Sequence, residues 1–291
     1  MEQFIDLSHP ITDRPSCTLS LSDTVPKVHF QEREVSKGVL SVTSILQNMG
    51  SDVGTHIDLP GQLVDLSGSA LVVGDYAPSR FVGEVLVIDV ADKLDAIKPF
   101  FNVYGKFTVD AADEETMLAF LQSLERLQIT ARELDAAAER CGVSLTDLKG
   151  VLLFSGLSAY WKYEICESWQ ELYFFNPYLA VNACQLLADS HLSFVGIDAF
   201  HLEDPICNYG GDEAPLVLNP KCREIVAAKL ERAARWLNHR LLLENDVLIY
   251  ENLRIPKQLK NRTVKFSGVP LNIRLKGVTD NALVRPYVEV N

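Results

Sequence analysis

Residues 51–62 read SDVGTHIDLPGQ, which puts Asp52, His56 and Asp58 among two glycines and a proline. Pro60, Gly54, Gly61 and the β-branched Val53, Thr55 and Ile57 argue against a helix, so the spacing is judged on an extended or looped backbone. The three polar residues stand at even offsets and face one side of a strand. At roughly 3.3 Å per residue, a straight strand would still hold Asp52 about 20 Å from Asp58. To share one ion the chain must bend, and Gly54 is where it can. Histidine and carboxylate side chains bind divalent cations, and His56-x-Asp58 on one face is a natural ligand pair. An aspartate in a Gly/Pro loop also serves as an Asx-turn or cap, so this segment alone leaves both readings open.

The 291 residues, 47% hydrophobic and 23% charged, are those of a globular protein with a sizeable core, and no linker or repeat divides them. We expect a single domain over 1–291. Acidic side chains outnumber basic ones, 39 to 27, for a net charge of -12. That balance repels phosphate backbones and anionic lipid, so neither nucleic acid nor a membrane is an expected partner. The start MEQFIDLSHP lacks the basic and apolar regions of a signal peptide, and no apolar run reaches the roughly 18 residues of a spanning helix; a cytoplasmic location is the expectation. Six cysteines without a C-x-x-C pair read as free thiols, mostly buried.

Strands are expected at 39–50, 83–92, 150–156, 192–199 and 246–253, where β-branched and aliphatic runs are bounded by Gly, Asp or Asn. Helical spacing marks 113–127, 130–142, 176–190 and a long segment from about 220 to 243; Thr130 and Glu133 make a capping-box pair. The order strand, helix, strand between 150 and 199 is β-α-β, and the fold class is α/β.

A second cluster of candidates lies in NHRLLLENDVLIYENL, residues 238–253. His239 falls in the last turns of the expected long helix and Glu251 in the strand after it, in a segment apolar enough to be buried. A buried glutamate is costly unless it is paired or holds a cation. The alternatives are that His239 caps the helix end while Glu251 pairs with Arg254 or Lys257.

GTHIDLP resembles the signature of the metal-dependent cyclase family, which includes bacterial kynurenine formamidase and isatin hydrolase and whose fuller pattern is H-x-G-T-H-x-D-x-P-x-H. FIDLSHPI near the start, VGIDA at 195–199, and His239 followed twelve residues later by Glu251 in IYENL are similar in order and spacing. The resemblance implies a swivelling β/β/α fold that forms a homodimer or larger homo-oligomer, with 95–127 as an inserted helical segment. It carries the family's metal-ligand roles onto His56, Asp58, His239 and Glu251, with Asp58 and Glu251 bridging where two ions bind.

Two departures matter. The family's first histidine is Asp52 here, which can still ligate, and its last, the acid/base, is Gln62, which cannot titrate near neutrality. Asp52 makes the donor set richer in oxygen, favouring manganese, iron or magnesium more than the usual set while zinc stays compatible; one or two divalent ions, zinc or manganese, are expected. His201, just past VGIDA, is the candidate replacement base and His9 a weaker one. Where formamidases place a substrate-contacting aromatic this chain has Ser16 and Cys17, while Tyr160 and Trp161 could restore an aromatic wall.

The resulting expectation is a metal-dependent hydrolase that opens a small-molecule lactone, cyclic amide or N-acyl bond with ion-activated water. Asp52, His56, Asp58, His239 and Glu251 hold the metal, Gln62 positions water or the substrate carbonyl, and His201 or a carboxylate moves the proton. The alternatives are a metal-binding relative that lost turnover and took a ligand-binding or regulatory role, and a metal-dependent lyase or cyclase.

Overall fold

In 82–89, VGEVLVID, the apolar residues feed two cores by simple alternation: Leu86 and Ile88 point to one, Val85 and Val87 to the other. The computed structural model describes residues 3–10, 27–36, 39–47, 50–63, 72–103, 107–110, 113–160, 175–205, 236–272 and 281–290. Its strands are β1 Gln3–Asp6, β2 Lys27–Ser36, β3 Val39–Gln47, β4 His56–Asp58, β5 Val82–Asp89, β6 Gln128–Ile129, β7 Gly150–Phe154, β8 Tyr178–Leu179, β9 Phe194–Ile197, β10 Leu248–Glu251, β11 Arg262–Ser267, β12 Asn281–Leu283 and β13 Tyr287–Val290. Its α-helices are α1 Glu114–Ser123, α2 Ala131–Arg140, α3 Val181–Asp189 and α4 Leu237–Glu244.

One nine-stranded sheet runs β1-β13-β11-β5-β7-β9-β10-β4-β12, and β2 with β3 form a separate antiparallel hairpin. The central four, β5-β7-β9-β10, are parallel, and the outer pairings are antiparallel. Helices cover one face, where Val151, Leu153, Val195 and Ile249 meet Phe120, Leu134, Leu187 and Leu242. On the other face Leu152, Phe194 and Tyr250 pack with Val288 and Leu7 from one end of the sheet and Ile57 and Ala282 from the opposite end. Both ends therefore curl over the middle. β7 and β9 approach so closely at Gly150 that a Cβ there would lie 2.5 Å from the Phe194 carbonyl oxygen.

The 176–190 expectation is corrected at its start. Pro177 holds the preceding residue extended, Tyr178–Leu179 pairs with β6, and the helix begins only at Val181. The helix expected over 113–127 stays α-helical to Ser123 and tightens to 3-10 geometry over Leu124–Leu127. The Thr130–Glu133 capping box forms with both of its reciprocal hydrogen bonds. Trp236 adopts a left-handed conformation, φ 57°, so α4 begins at Leu237; the part of the expected long helix before 236 lies outside the described residues. His239 thus lies in a first turn, and the C-terminal capping alternative falls.

The described residues of 95–127 pack into the helix-side core through Ile97, Phe101, Met117 and Leu124, and Phe120 meets Phe175 edge to face at 5.0 Å. Cys184 is buried and Cys141 partly buried, both as free thiols. Cys17, Cys166, Cys207, Cys222, Ser16, Trp161 and residues 206–235 lie outside the described residues, as does the Tyr160 side chain. No helix among the described residues is long and apolar enough to cross a membrane.

Candidate metal centre

The bend expected after Asp52 is present: Gly54 takes φ +69°, a left-handed value that glycine tolerates, and delivers the chain into β4. In the antiparallel pairing of β4 with β10, His56 stands opposite Glu251 and Asp58 opposite Ile249, while β12 sets Asn281 opposite Asp58. Opposed residues share a face, so His56, Asp58 and Glu251 project together. Thr55 fixes that register from behind: its hydroxyl donates to the Asn252 carbonyl at 2.6 Å and accepts from the His9 amide at 2.9 Å. His239 arrives from the first turn of α4.

The resulting contacts are divided evenly. Asp58 presents Oδ1 to His56 Nε2 at 3.5 Å and Oδ2 to His239 Nε2 at 3.5 Å. Glu251 does the same, Oε2 to His56 at 3.7 Å and Oε1 to His239 at 3.3 Å. Glu251 therefore faces the two imidazoles, and the alternative pairing with Arg254 or Lys257 is not formed. His56, Asp58 and Glu251 offer donor atoms all within 4.8 Å of one another, and all three are buried.

Both imidazoles are held with Nε2 toward the carboxylates. His56 Nδ1 donates to the Gly54 carbonyl at 2.8 Å, an acceptor only, so its proton sits on Nδ1. His239 Nδ1 meets Glu203 Oε1 at 2.9 Å, and the His239 amide donates to the same oxygen at 2.6 Å. Sequence reasoning missed Glu203. Its available signal was an acid in HLED beside the singled-out His201, in a stretch too apolar for a free surface loop.

These buried groups perturb one another. For His56, burial lowers the pKa, but the charges of Asp58 and Glu251 outweigh burial and the net shift is upward. His239 is opposed by burial in the same way and is held well above the ordinary value by Asp58, Glu203 and Glu251. Burial and the neighbouring Asp58 raise Glu251. Glu203 moves down, because contact with His239 outweighs its burial.

The cluster floors a cavity of about 330 Å³, whose wall includes Asp52, Gln62, Leu63, Phe200, His201, Trp236 and Asn281. Asp52 lies in this wall and its charge reaches His56, but its Oδ1 folds back against Gly50. Gln62 donates from Nε2 to Asp58 Oδ1 at 2.5 Å. A carboxylate can only accept, so Asp58 dictates which way the Gln62 amide faces. His201 is buried and its Nδ1 accepts the Glu203 amide at 3.2 Å, which places its own proton on Nε2. Burial pulls its pKa down to about 4. His9 is not brought to this cavity; it lines a separate cleft with Arg254, where burial pulls it down to about 3.

The donor chemistry fits a divalent cation. Asp58 Oδ2 and Glu251 Oε1 are buried oxygens that accept no hydrogen bond, which is costly unless a positive charge faces them. Two imidazole nitrogens and shared carboxylate oxygens are the donors that zinc and manganese take.

Comparison with known proteins places this fold. An isatin hydrolase bound to the product analogue thioisatinate superposes with a TM-score of 0.65 at 14% identity, covering 99% of this chain and 92% of its own. Isatin hydrolase A from Labrenzia aggregata, bound to benzyl benzoate, gives 0.61 at 15% identity over 99% and 94%. A potential metal-dependent hydrolase with cyclase activity gives 0.56 at 17% identity over 99% and 98%. Identities this low speak for the fold. No curated protein matches the sequence significantly. The profile of the family described as "Putative cyclase" matches residues 5–204, well over half of the chain, and stops short of His239 and Glu251. The chain belongs to the cyclase family.

Proposed function

We propose that the protein is a metal-dependent hydrolase of a small-molecule lactone, cyclic amide or N-acyl bond. One observation carries this reading: Asp58 and Glu251, both buried, each turn one oxygen to His56 and the other to His239 on the floor of a cavity. His56, Asp58, His239 and Glu251 would hold one or two divalent ions. An ion held there supplies Lewis acidity toward a carbonyl oxygen and toward water.

The chain's own groups do the rest. Gln62 has one amide proton committed to Asp58, so its carbonyl oxygen is the acceptor that orients a water O–H. The second amide proton stays available to a substrate carbonyl, so Gln62 is able to position either group. His201, with its proton on Nε2, is suited to donate a hydrogen bond to oxygen and not to abstract a proton there. The proton removed from water would then fall to a carboxylate of the cluster and not to His201. Leu63, Phe200 and Trp236 form an apolar flank for the body of the substrate. The net charge of -12 supports a small molecule over a polyanion.

Gln62 also supports a second reading, a metal-binding relative without turnover, since an amide cannot carry a proton. The test is to measure bound metal and then assay lactones, cyclic amides and N-formyl arylamines with and without chelator. Chelator-sensitive hydrolysis of one class supports the hydrolase. Stoichiometric metal with no turnover of any class supports the second reading, and absence of bound metal contradicts both.

A further inference from the structure

Glu203 stands outside the cluster, yet one of its oxygens serves two protons of a cluster residue. Oε1 accepts from the His239 backbone amide at 2.6 Å and from Nδ1 of the same residue at 2.9 Å. The first bond answers a need of the helix. The opening amides of α4 have no partners within the helix, and Trp236 at its cap, in a left-handed conformation, contributes no side-chain acceptor. The second bond answers a need of the site, because a proton held on Nδ1 by Glu203 reserves Nε2, which faces Asp58 and Glu251, as the nitrogen that would take an ion.

The loop that carries Glu203 is anchored without help from the cluster. Asn238 donates to the Leu202 and Leu179 carbonyls at 2.7 Å each, and Asn176 donates to the His201 carbonyl at 2.6 Å. Glu203 is 2% exposed, so its carboxylate meets these donors away from competing water.

We infer that Glu203 is a positioning residue that caps α4 from a distant loop and, through the same oxygen, fixes the aim and tautomer of His239, tying the start of the helix to the site's affinity for a divalent ion. The affinity part rests on the metal-centre reading above; the capping part does not.

The full chain with Glu203→Gln and Glu203→Ala separates the two bonds. Amide hydrogen exchange at residues 239–241 reads the cap, and Co²⁺ titration against a competing chelator, with the visible spectrum recorded, reads the site. Glutamine still offers an oxygen to the amide but not a charged one to Nδ1. Glu203→Gln is expected to keep the exchange protection while Co²⁺ affinity falls about 10-fold and the absorption band shifts. Glu203→Ala is expected to lose the protection and up to about 100-fold in affinity. Wild-type Co²⁺ affinity in both variants overturns the role at the site, and unchanged exchange in Glu203→Ala overturns the cap. Should the wild type take up no Co²⁺, the metal-centre reading fails instead, and the exchange arm alone upholds or overturns the capping role. Glu203→Gln keeps the experiment decisive if the alanine variant does not fold.

Discussion

Asp58 has both carboxylate oxygens turned to imidazoles, and its buried Oδ2 accepts no hydrogen bond. Asp58→Asn preserves the shape but replaces one oxygen by a donor that faces an imidazole. Elemental analysis of the purified variant is expected to show metal content lost, and activity down by more than the 10–100-fold that loss of an outer partner costs. Retention of both would remove Asp58 from the site. His9 makes a different prediction. Its folded pKa of about 3 lies below the 6.5 of an exposed histidine, because burial, reinforced by Arg254, disfavours the charged ring. Between those values the unfolded chain binds the proton and the folded one does not, so stability is held above pH 6.5 and drains as pH falls toward 3. Chemical denaturation across that window should show His9→Gln losing stability less steeply than wild type, by about one proton. Equal slopes would mean that His9 is not buried neutral.

At the scale of elements, the close approach of β7 and β9 gives a test independent of the site. Gly150→Ala forces a Cβ to 2.5 Å from the Phe194 carbonyl, and backbone cannot step aside without parting the strands. Equilibrium unfolding is expected to show a loss of about 1–3 kcal/mol with metal stoichiometry intact. The parallel core strands were legible because each is a short apolar run with bounding glycine or aspartate, as in GVLLFSG and LSFVGIDA. The capping box at Thr130 was legible for the same local reason. What local pattern could not reveal was pairing made by distant partners: Tyr178–Leu179 is a strand only because β6 lies beside it. The start of α4 after Trp236 was equally hidden, since apolar periodicity does not register one left-handed residue. In the site, His56 and Asp58 were visible through their even spacing and Glu251 through its apolar surroundings. Glu203 was not, because its role exists only across the gap from one loop to the first turn of α4.

Across the whole molecule, the curled sheet explains why the cluster forms where it does. Its parallel centre supplies β10, its antiparallel end supplies β4 beside it, and α4, packed on the same face as Ile249, adds His239. If the proposed ion binds β4, β10 and α4 together, it would tie segments about 200 residues apart in sequence, so its removal should loosen the fold as well as stop the proposed hydrolysis. Chelation is expected to lower the melting temperature, and readdition of zinc or manganese to restore it; a melting temperature indifferent to chelator would mean that no structural energy passes through the site. The most direct measurement is anomalous diffraction from crystals grown with the metal, recorded at the zinc and manganese edges. A peak is expected about 2.0–2.3 Å from His56 Nε2 or His239 Nε2, with oxygens of Asp58 and Glu251 completing the shell. An anomalous map with no peak between the two imidazoles, or with its peak elsewhere on the molecule, would contradict the metal-centre reading.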